Sequence, residues 1–479
     1  MIHFRPILLT NGIMLCAIAA AMLIPAMVDA FNGRPDWKMF LACALFTFFI
    51  GGLLILVNWD NDLPPLGLKE GFLLTTTTWV IVTAFASLPF MGVGLGAADA
   101  FFEAMSGLTT TGATVLTRLE VLPRGLLLWR SILQGLGGLG IILMALIVLP
   151  FLRVGGMQLF HTESSERSEK VLPRSVELIT ATAGVYGVLL LACLSLYLFF
   201  GMTTFDAICH ALTTVSTAGF STHDESFGFF KSPALQWTAI VFMILGAWPI
   251  IVLIRVARGE PWAPWRDAQV RGFMLFLVTA IALMTFWLTT NQNMAFSEAL
   301  RAAAFNVTSI ATTTGYATED YTNWGAFAVG LFFLLMFIGG CSGSTTGGIK
   351  VYRLQVAGIL TRSHFLHLIS PNRIVTLTYN QRRLPADVPF SVVAFLAIYM
   401  VTVGLFTVAL AFMGLDLVTS LSAALASVSN VGPGLGDVIG PAGTYASLPA
   451  EAKWVLAFAM LLGRLELFTV LVLLRPEFW

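Results

Sequence analysis

Gly107-Leu108-Thr109-Thr110-Thr111-Gly112-Ala113-Thr114 lies between two long apolar segments of the chain. Hydrocarbon offers unpaired backbone groups no partner, so a stretch this rich in hydroxyls must line a cavity or pack inside protein if it sits at membrane depth. Three further knots of the same kind follow: Ser216-Thr217-Ala218-Gly219-Phe220, Thr312-Thr313-Thr314-Gly315-Tyr316 and Ser429-Asn430-Val431-Gly432-Pro433. A single knot reads equally well as a small-residue contact between helices. Four of them, each after a short apolar helix and each between two long ones, make an internal repeat, and the fold follows from the repeat.

The expected fold is an all-α integral membrane protein, with four pseudo-symmetric units of helix, pore helix and helix around one pore, and two N-terminal transmembrane helices ahead of them. The two leading helices, about residues 7–30 and 38–58, form a hairpin within residues 1–68. The units occupy residues 69–175, 176–267, 268–387 and 388–479, and unit three carries an intramembrane gating loop. The short helices are expected near residues 99–109, 206–212, 297–309 and 416–427. Asp99, Asp206 and Asp416 stand where a carboxylate would cap the helix start, whereas unit three offers Ser297 and Glu298.

Composition agrees with a membrane protein: 57% of the residues are hydrophobic and 11% charged, against about 25% charged in soluble domains. The formal net charge of zero argues against a basic surface for nucleic acid. Cys16, Cys43, Cys193, Cys209 and Cys341 lie in or beside apolar segments at irregular spacing, which supports neither a disulfide framework nor a metal site. Arg5 and Val28-Asp29-Ala30 mimic a signal peptide, but the apolar run is too long for one and is read as a retained helix.

Basic residues cluster after the second helix of units one to three: Arg153, Arg167, Lys170 and Arg174; Arg255, Arg258, Arg266 and Arg271; Lys350, Arg353, Arg362, Arg373, Arg382 and Arg383. By the positive-inside rule these loops are cytoplasmic, so the knots open outward. Glu120, Asp224, Glu225, Glu319, Asp320 and Asp437 then gather on the outer side, where they raise the local concentration of cations.

Converging backbone carbonyls can replace the hydration shell of an ion. Glycine tolerates the dihedrals that this demands, and one glycine per knot fits the requirement. The chain resembles the membrane subunits of Trk-type potassium uptake systems, within the Trk, Ktr and HKT superfamily. The likeness rests on the four knots, the leading hairpin and Arg167-Ser168-Glu169-Lys170-Val171-Leu172-Pro173-Arg174, which is more TrkH-like than Ktr-like. It implies potassium coordination at Thr110, Thr111 and Gly112, at Thr217, Ala218 and Gly219, at Thr313, Thr314 and Gly315, and at Asn430, Val431 and Gly432. It also implies a multi-pass protein of the bacterial inner membrane, a homodimer, and a cytoplasmic nucleotide-binding regulatory subunit that docks on the basic loops. The chain itself shows no nucleotide site, so no organic cofactor and no enzyme activity are expected.

Two features suggest a gate. Gly339-Gly340-Cys341-Ser342-Gly343-Ser344-Thr345-Thr346-Gly347-Gly348-Ile349-Lys350 interrupts the second helix of unit three. Each glycine costs about 1 kcal/mol against alanine in a helix, so the segment reads as a loop below the filter. A phosphate-binding loop fails on spacing and on the absence of a preceding strand. Arg464 lies deep in the last apolar segment, where a charge costs about 3 kcal/mol in lipid and faces the bundle interior. Glu466 is a poor partner for it at i+2, so loop carbonyls or a distant acid must serve. Arg130 and Gln134 sit near the outer end of a helix, where snorkelling accounts for the arginine, and Glu103 in the first short helix either adds negative field near the pore or hydrogen-bonds to a neighbouring loop. An alternating-access cation symporter is the alternative, although its usual inverted repeats are not matched by four repeats that run the same way.

Overall fold

The computed structural model describes residues 2–60, 66–147, 171–380 and 382–479. Arg153, Arg167 and Lys170 of the basic loop in unit one lie outside the described residues. Two leading helices, Phe4–Phe31 and Trp37–Asn58, precede four copies of one motif. The outer helices of the copies are Leu68–Ala86, Val171–Phe199, Ala268–Asn291 and Asp387–Phe412. The short pore helices are Ala97–Leu108, Thr204–Val215, Phe296–Ala311 and Leu417–Ser429. Among the described residues seven helices are long and apolar enough to cross a membrane, or up to nine if each bent pair is one span. A short antiparallel pair, Thr378–Tyr379 with Arg382–Arg383, lies in the segment between units three and four.

Burial separates the roles of the helices. The apolar window of Val176–Phe199 is 17% buried and that of Arg124–Met144 is 72% buried, so the outer helix turns to lipid and the inner one to protein. The pore helices of units three and four are rich in alanine and serine, and Ala302 through Ala311 and Ser422 through Ser429 are wholly buried. Small side chains allow these helices to reach the centre of the bundle.

The sequence predicts one long second helix per unit, interrupted only in unit three. Among the described residues the structure breaks two more. Pro233–Ala247 meets Ile250–Ala257 at 105°, and Ala450–Arg464 meets Phe468–Leu474 at 107°. In unit two the cause is Pro249, which holds the preceding Trp248 extended (φ −81°, ψ 155°). In unit four Glu466 and Leu467 take positive φ values of 64° and 44°.

The N-cap expectation needs correcting as well. Only Asp416 caps its helix, accepting from the Thr419 N–H at 3.0 Å. The cap in unit two is Thr203, with Asp206 three residues inside as the reciprocal partner. Unit one starts at Gly96, and Asp99 instead pairs with Lys453 of unit four at 2.5 Å.

The leading hairpin closes tightly because a β-carbon on Gly12 would lie 2.8 Å from the Gly51 carbonyl oxygen. It is fastened to unit one by Asn11, which accepts from Thr78 Oγ1 at 2.7 Å. Buried Asp29 accepts from the Gly125 N–H at 2.7 Å, at the start of the inner helix Arg124–Ile147. A carboxylate there offsets free N–H groups and the positive end of the helix dipole. Asp29→Ala is expected to cost about 1–2 kcal/mol, read as a lower Tm in detergent; an unchanged Tm would mean that the contact contributes nothing.

Candidate ion pathway

Each pore helix ends in the same way. Thr110, Thr217, Thr313 and Asn430 adopt left-handed backbone with φ of 52°, 50°, 54° and 54°. The next N–H reaches back to the helix: Thr111 to Ser106 O (2.9 Å), Ala218 to Thr213 O (2.9 Å), Thr314 to Ser309 O (2.8 Å) and Val431 to Ala426 O (2.9 Å). This is the Schellman ending, built here without the usual glycine. A left-handed β-branched residue is rare and strained, and here three threonines and an asparagine share the conformation. Gly112, Gly219, Gly315 and Gly432 follow with φ of 82°, 80°, 86° and 103°.

The four endings meet. A β-carbon on Gly112 would lie 2.3 Å from Ala218 O, one on Gly219 1.9 Å from Thr314 O, one on Gly315 2.2 Å from Val431 O, and one on Gly432 2.6 Å from Thr111 O. Loop one abuts loop two, two abuts three, three abuts four, and four returns to one. All four glycines line one outward cavity of about 470 Å³.

Side chains behind the ring hold it. Asn430 donates through Nδ2 to Thr111 Oγ1 (3.0 Å) and to Met460 O (2.9 Å). Tyr445 donates to Gly432 O at 2.9 Å, and Ser309 to Tyr316 O at 2.6 Å. Gln134 donates to Ala218 O at 2.7 Å and accepts from the Phe220 N–H at 3.0 Å. The sequence reading of Arg130 as a snorkelling side chain is overturned, since it is 1% exposed and paired with Glu103 at 2.8 Å. Glu103 accepts from Thr114 and from the Val115 N–H, the loop bond that is one of its two readings from the sequence. The signal available in the sequence was the i, i+4 spacing of Arg130 and Gln134, which puts both on one helix face.

Of the outer acids picked out above, Asp224 lines the outward cavity, together with Arg118 and His223. Glu120 lines a neighbouring cavity of about 400 Å³ with Asp206. Burial works to raise the Asp206 carboxyl, but the His223 ring 3.5 Å away and hydrogen bonds from Thr222 and Thr203 hold it well below the usual carboxylate range.

Beneath the ring lies Gly339–Lys350. Thr345 Oγ1 is 2.8 Å from Thr217 Oγ1 and donates to Gly246 O at 3.0 Å. The Gly347 N–H donates to Thr313 Oγ1 at 2.8 Å, and a β-carbon on Gly347 would lie 2.2 Å from Ser429 O. The loop also fills the break in unit two: the Cys341 N–H donates to Ala247 O (2.9 Å), and the Ile250 N–H donates to Gly343 O (3.0 Å). Backbone groups freed by the broken helix thus find partners in the loop. Ser342 is tied through its N–H to Gln269 Oε1 (2.9 Å), and Ser344 lies 2.8 Å from Thr346, whose hydroxyl accepts from the Gly340 N–H. Gly348 takes φ 64° beside Gly339.

Arg464 closes the arrangement. It donates to Thr345 O in the loop at 2.8 Å and to Gly137 O in the inner helix of unit one at 3.2 Å, so one loop carbonyl and one helix carbonyl serve it. Glu466 pairs instead with the buried Arg353, just after the loop. Replacing Glu466 by Gln keeps a hydrogen-bond acceptor but removes the charge that balances buried Arg353, and is expected to cost about 3–5 kcal/mol. Thermal unfolding checks this, and a wild-type Tm would count the pair as neutral.

A family model described as TrkH, cation transport protein, matches residues 38–478. The potassium uptake protein TrkI of Halomonas elongata is 45% identical over 100% of this chain and 97% of its own length. TrkH of Vibrio parahaemolyticus is 35% identical over 100% and 99%. The crystal structure of the potassium transporter TrkH from Vibrio parahaemolyticus superposes with a TM-score of 0.93 at 33% identity, covering the whole of both chains.

Proposed function

The chain belongs to the TrkH family of cation transport proteins, and from that footing we propose that it takes up potassium across the bacterial inner membrane through a channel-like pore. Its selectivity filter is the ring of four loops, at Thr110–Gly112, Thr217–Gly219, Thr313–Gly315 and Asn430–Gly432. The observation that carries this reading is the closed cycle of glycine-to-carbonyl contacts, opening into one outward cavity. Such a ring presents main-chain oxygens from four sides to a single axis, which suits a dehydrated monovalent cation.

The same reading makes Gly340–Gly348 the gate and Arg464 its latch. The loop lies under the filter and bonds to units two, three and four, while Arg464 joins it to Gly137 of unit one. An ion leaving the filter inward meets this loop. The basic cytoplasmic loops are the docking surface for a nucleotide-binding regulatory subunit, and the working assembly is a homodimer. The chain acts as a transporter with potassium as cargo, not as an enzyme, and uses no organic cofactor.

Purified protein in planar bilayers, bathed in potassium, rubidium, sodium or lithium, tests the proposal. Unitary currents that favour potassium and rubidium are expected. Saturable uptake with no unitary current would instead favour the alternating-access symporter.

A further inference from the structure

We propose that Arg130 is a positioning residue that sets ion specificity, by fixing the joint between filter loops one and two with Glu103 and Gln134. The proposal rests on the filter reading above. One guanidinium spans that joint. Its Nε donates to Glu103 Oε1 (2.8 Å), Nη2 to Thr114 Oγ1 (3.0 Å) and Nη1 to Ser221 O (3.0 Å), and its Cζ lies 4.1 Å from the centre of the Phe220 ring. Thr114 follows Gly112 by two residues, and Phe220 and Ser221 directly follow Gly219. The exits of two loops are therefore fixed by one rigid, planar group.

One helical turn on, Gln134 holds loop two on either side of Gly219, through Ala218 O and the Phe220 N–H. Ala218 O is the oxygen against which Gly112 packs. Behind loop three the bonds are to neutral groups, as from Asn306 to Thr318 and from Ser309 to Tyr316. Behind loop four, Ser422 holds Leu435. The first joint alone thus has a buried ion pair among the described residues that back the filter.

Filter oxygens that take the place of an ion's water must hold their positions, and a group that pins two of four loops limits how far they can move toward a smaller ion. Arg130 also lines the outward cavity, and the Glu103 carboxylate balances its charge beside the ion path. Lysine cannot reproduce three divergent donors from one plane. Removing one member of a buried pair strands the other charge, so single neutral variants are poor probes.

The test uses the full-length protein in proteoliposomes, with potassium uptake measured against sodium competition, and Tm measured in parallel. Arg130→Lys and Gln134→Met are expected to lower the potassium-to-sodium preference about tenfold, equivalent to about 1.4 kcal/mol, chiefly through KM and with kcat little changed. If both variants keep the wild-type preference, or lose only kcat, the brace is structural and the proposal falls. Should Arg130→Lys fail to accumulate, Gln134→Met reads the same joint alone, with the same two outcomes. A wild-type protein without potassium preference would overturn the filter reading instead.

Discussion

Gly112→Ser is expected to lower the preference for potassium over sodium by on the order of 10–100-fold, taking 1.4 kcal/mol per factor of ten. Two costs act together at this position. The backbone holds φ at 82°, where an L side chain is strained by about 1–2 kcal/mol. The added β-carbon would also stand 2.3 Å from Ala218 O, a backbone atom held by Gln134. Neither neighbour can yield without moving its own loop. Because each glycine abuts the next loop, the displacement passes around the ring from loop one to loop two. The ring must widen or tilt, and on the filter reading proposed above its oxygens then admit an ion that keeps part of its water. Permeability ratios from bi-ionic potentials check this. A variant with wild-type ratios and normal protein levels would show that Gly112 takes no part in selectivity, and the filter assignment would fail with it. Gly219→Ala is a sharper form of the same test, since its β-carbon would approach Thr314 O to 1.9 Å.

The fold was legible because its signal is repeated. One Thr- and Gly-rich knot is ambiguous, but four at matching places between apolar segments admit few architectures, and the pore helices fall close to the residues that the pattern marks. The composition of Gly339–Lys350 likewise announced a segment unable to stay helical. What the sequence withheld was pairing across units. Nothing local in Ala450–Leu474 says that its helix stops at Arg464, because the break is held by Arg353 more than a hundred residues away. The bend at Pro249 carried a local cue, yet a proline can also sit in a gently kinked span, and only the docked loop shows why the chain turns through 105°. Arg130 misled for a related reason. An arginine near a helix end usually reaches water, and the partner that buries it, Glu103, lies on the pore helix of the same unit at a spacing no periodicity reveals.

On the gate reading proposed above, Arg464→Ala is expected to raise potassium flux by shifting the loop from a closed toward an open arrangement. The guanidinium makes one charge-assisted bond to Thr345 O in the loop and one to Gly137 O in unit one. Losing the loop bond removes about 1.5–3 kcal/mol from the closed state, a shift of about 10–100-fold in the closed-to-open ratio. Alanine also removes a positive charge from beneath the filter, which lowers the barrier for an entering cation. Both effects act in one direction. The remaining contacts, from Thr217 and Thr313 to Thr345 and Gly347, still seat the loop under the filter, so the pore keeps its selectivity while its open fraction rises. Arg464→Lys separates the two contributions, for it retains the charge but cannot reach both carbonyls with a fixed fork. Its flux should fall between wild type and Arg464→Ala. Flux at or below wild type in the alanine variant, from protein of normal abundance, would mean that Arg464 supports conduction and does not oppose it.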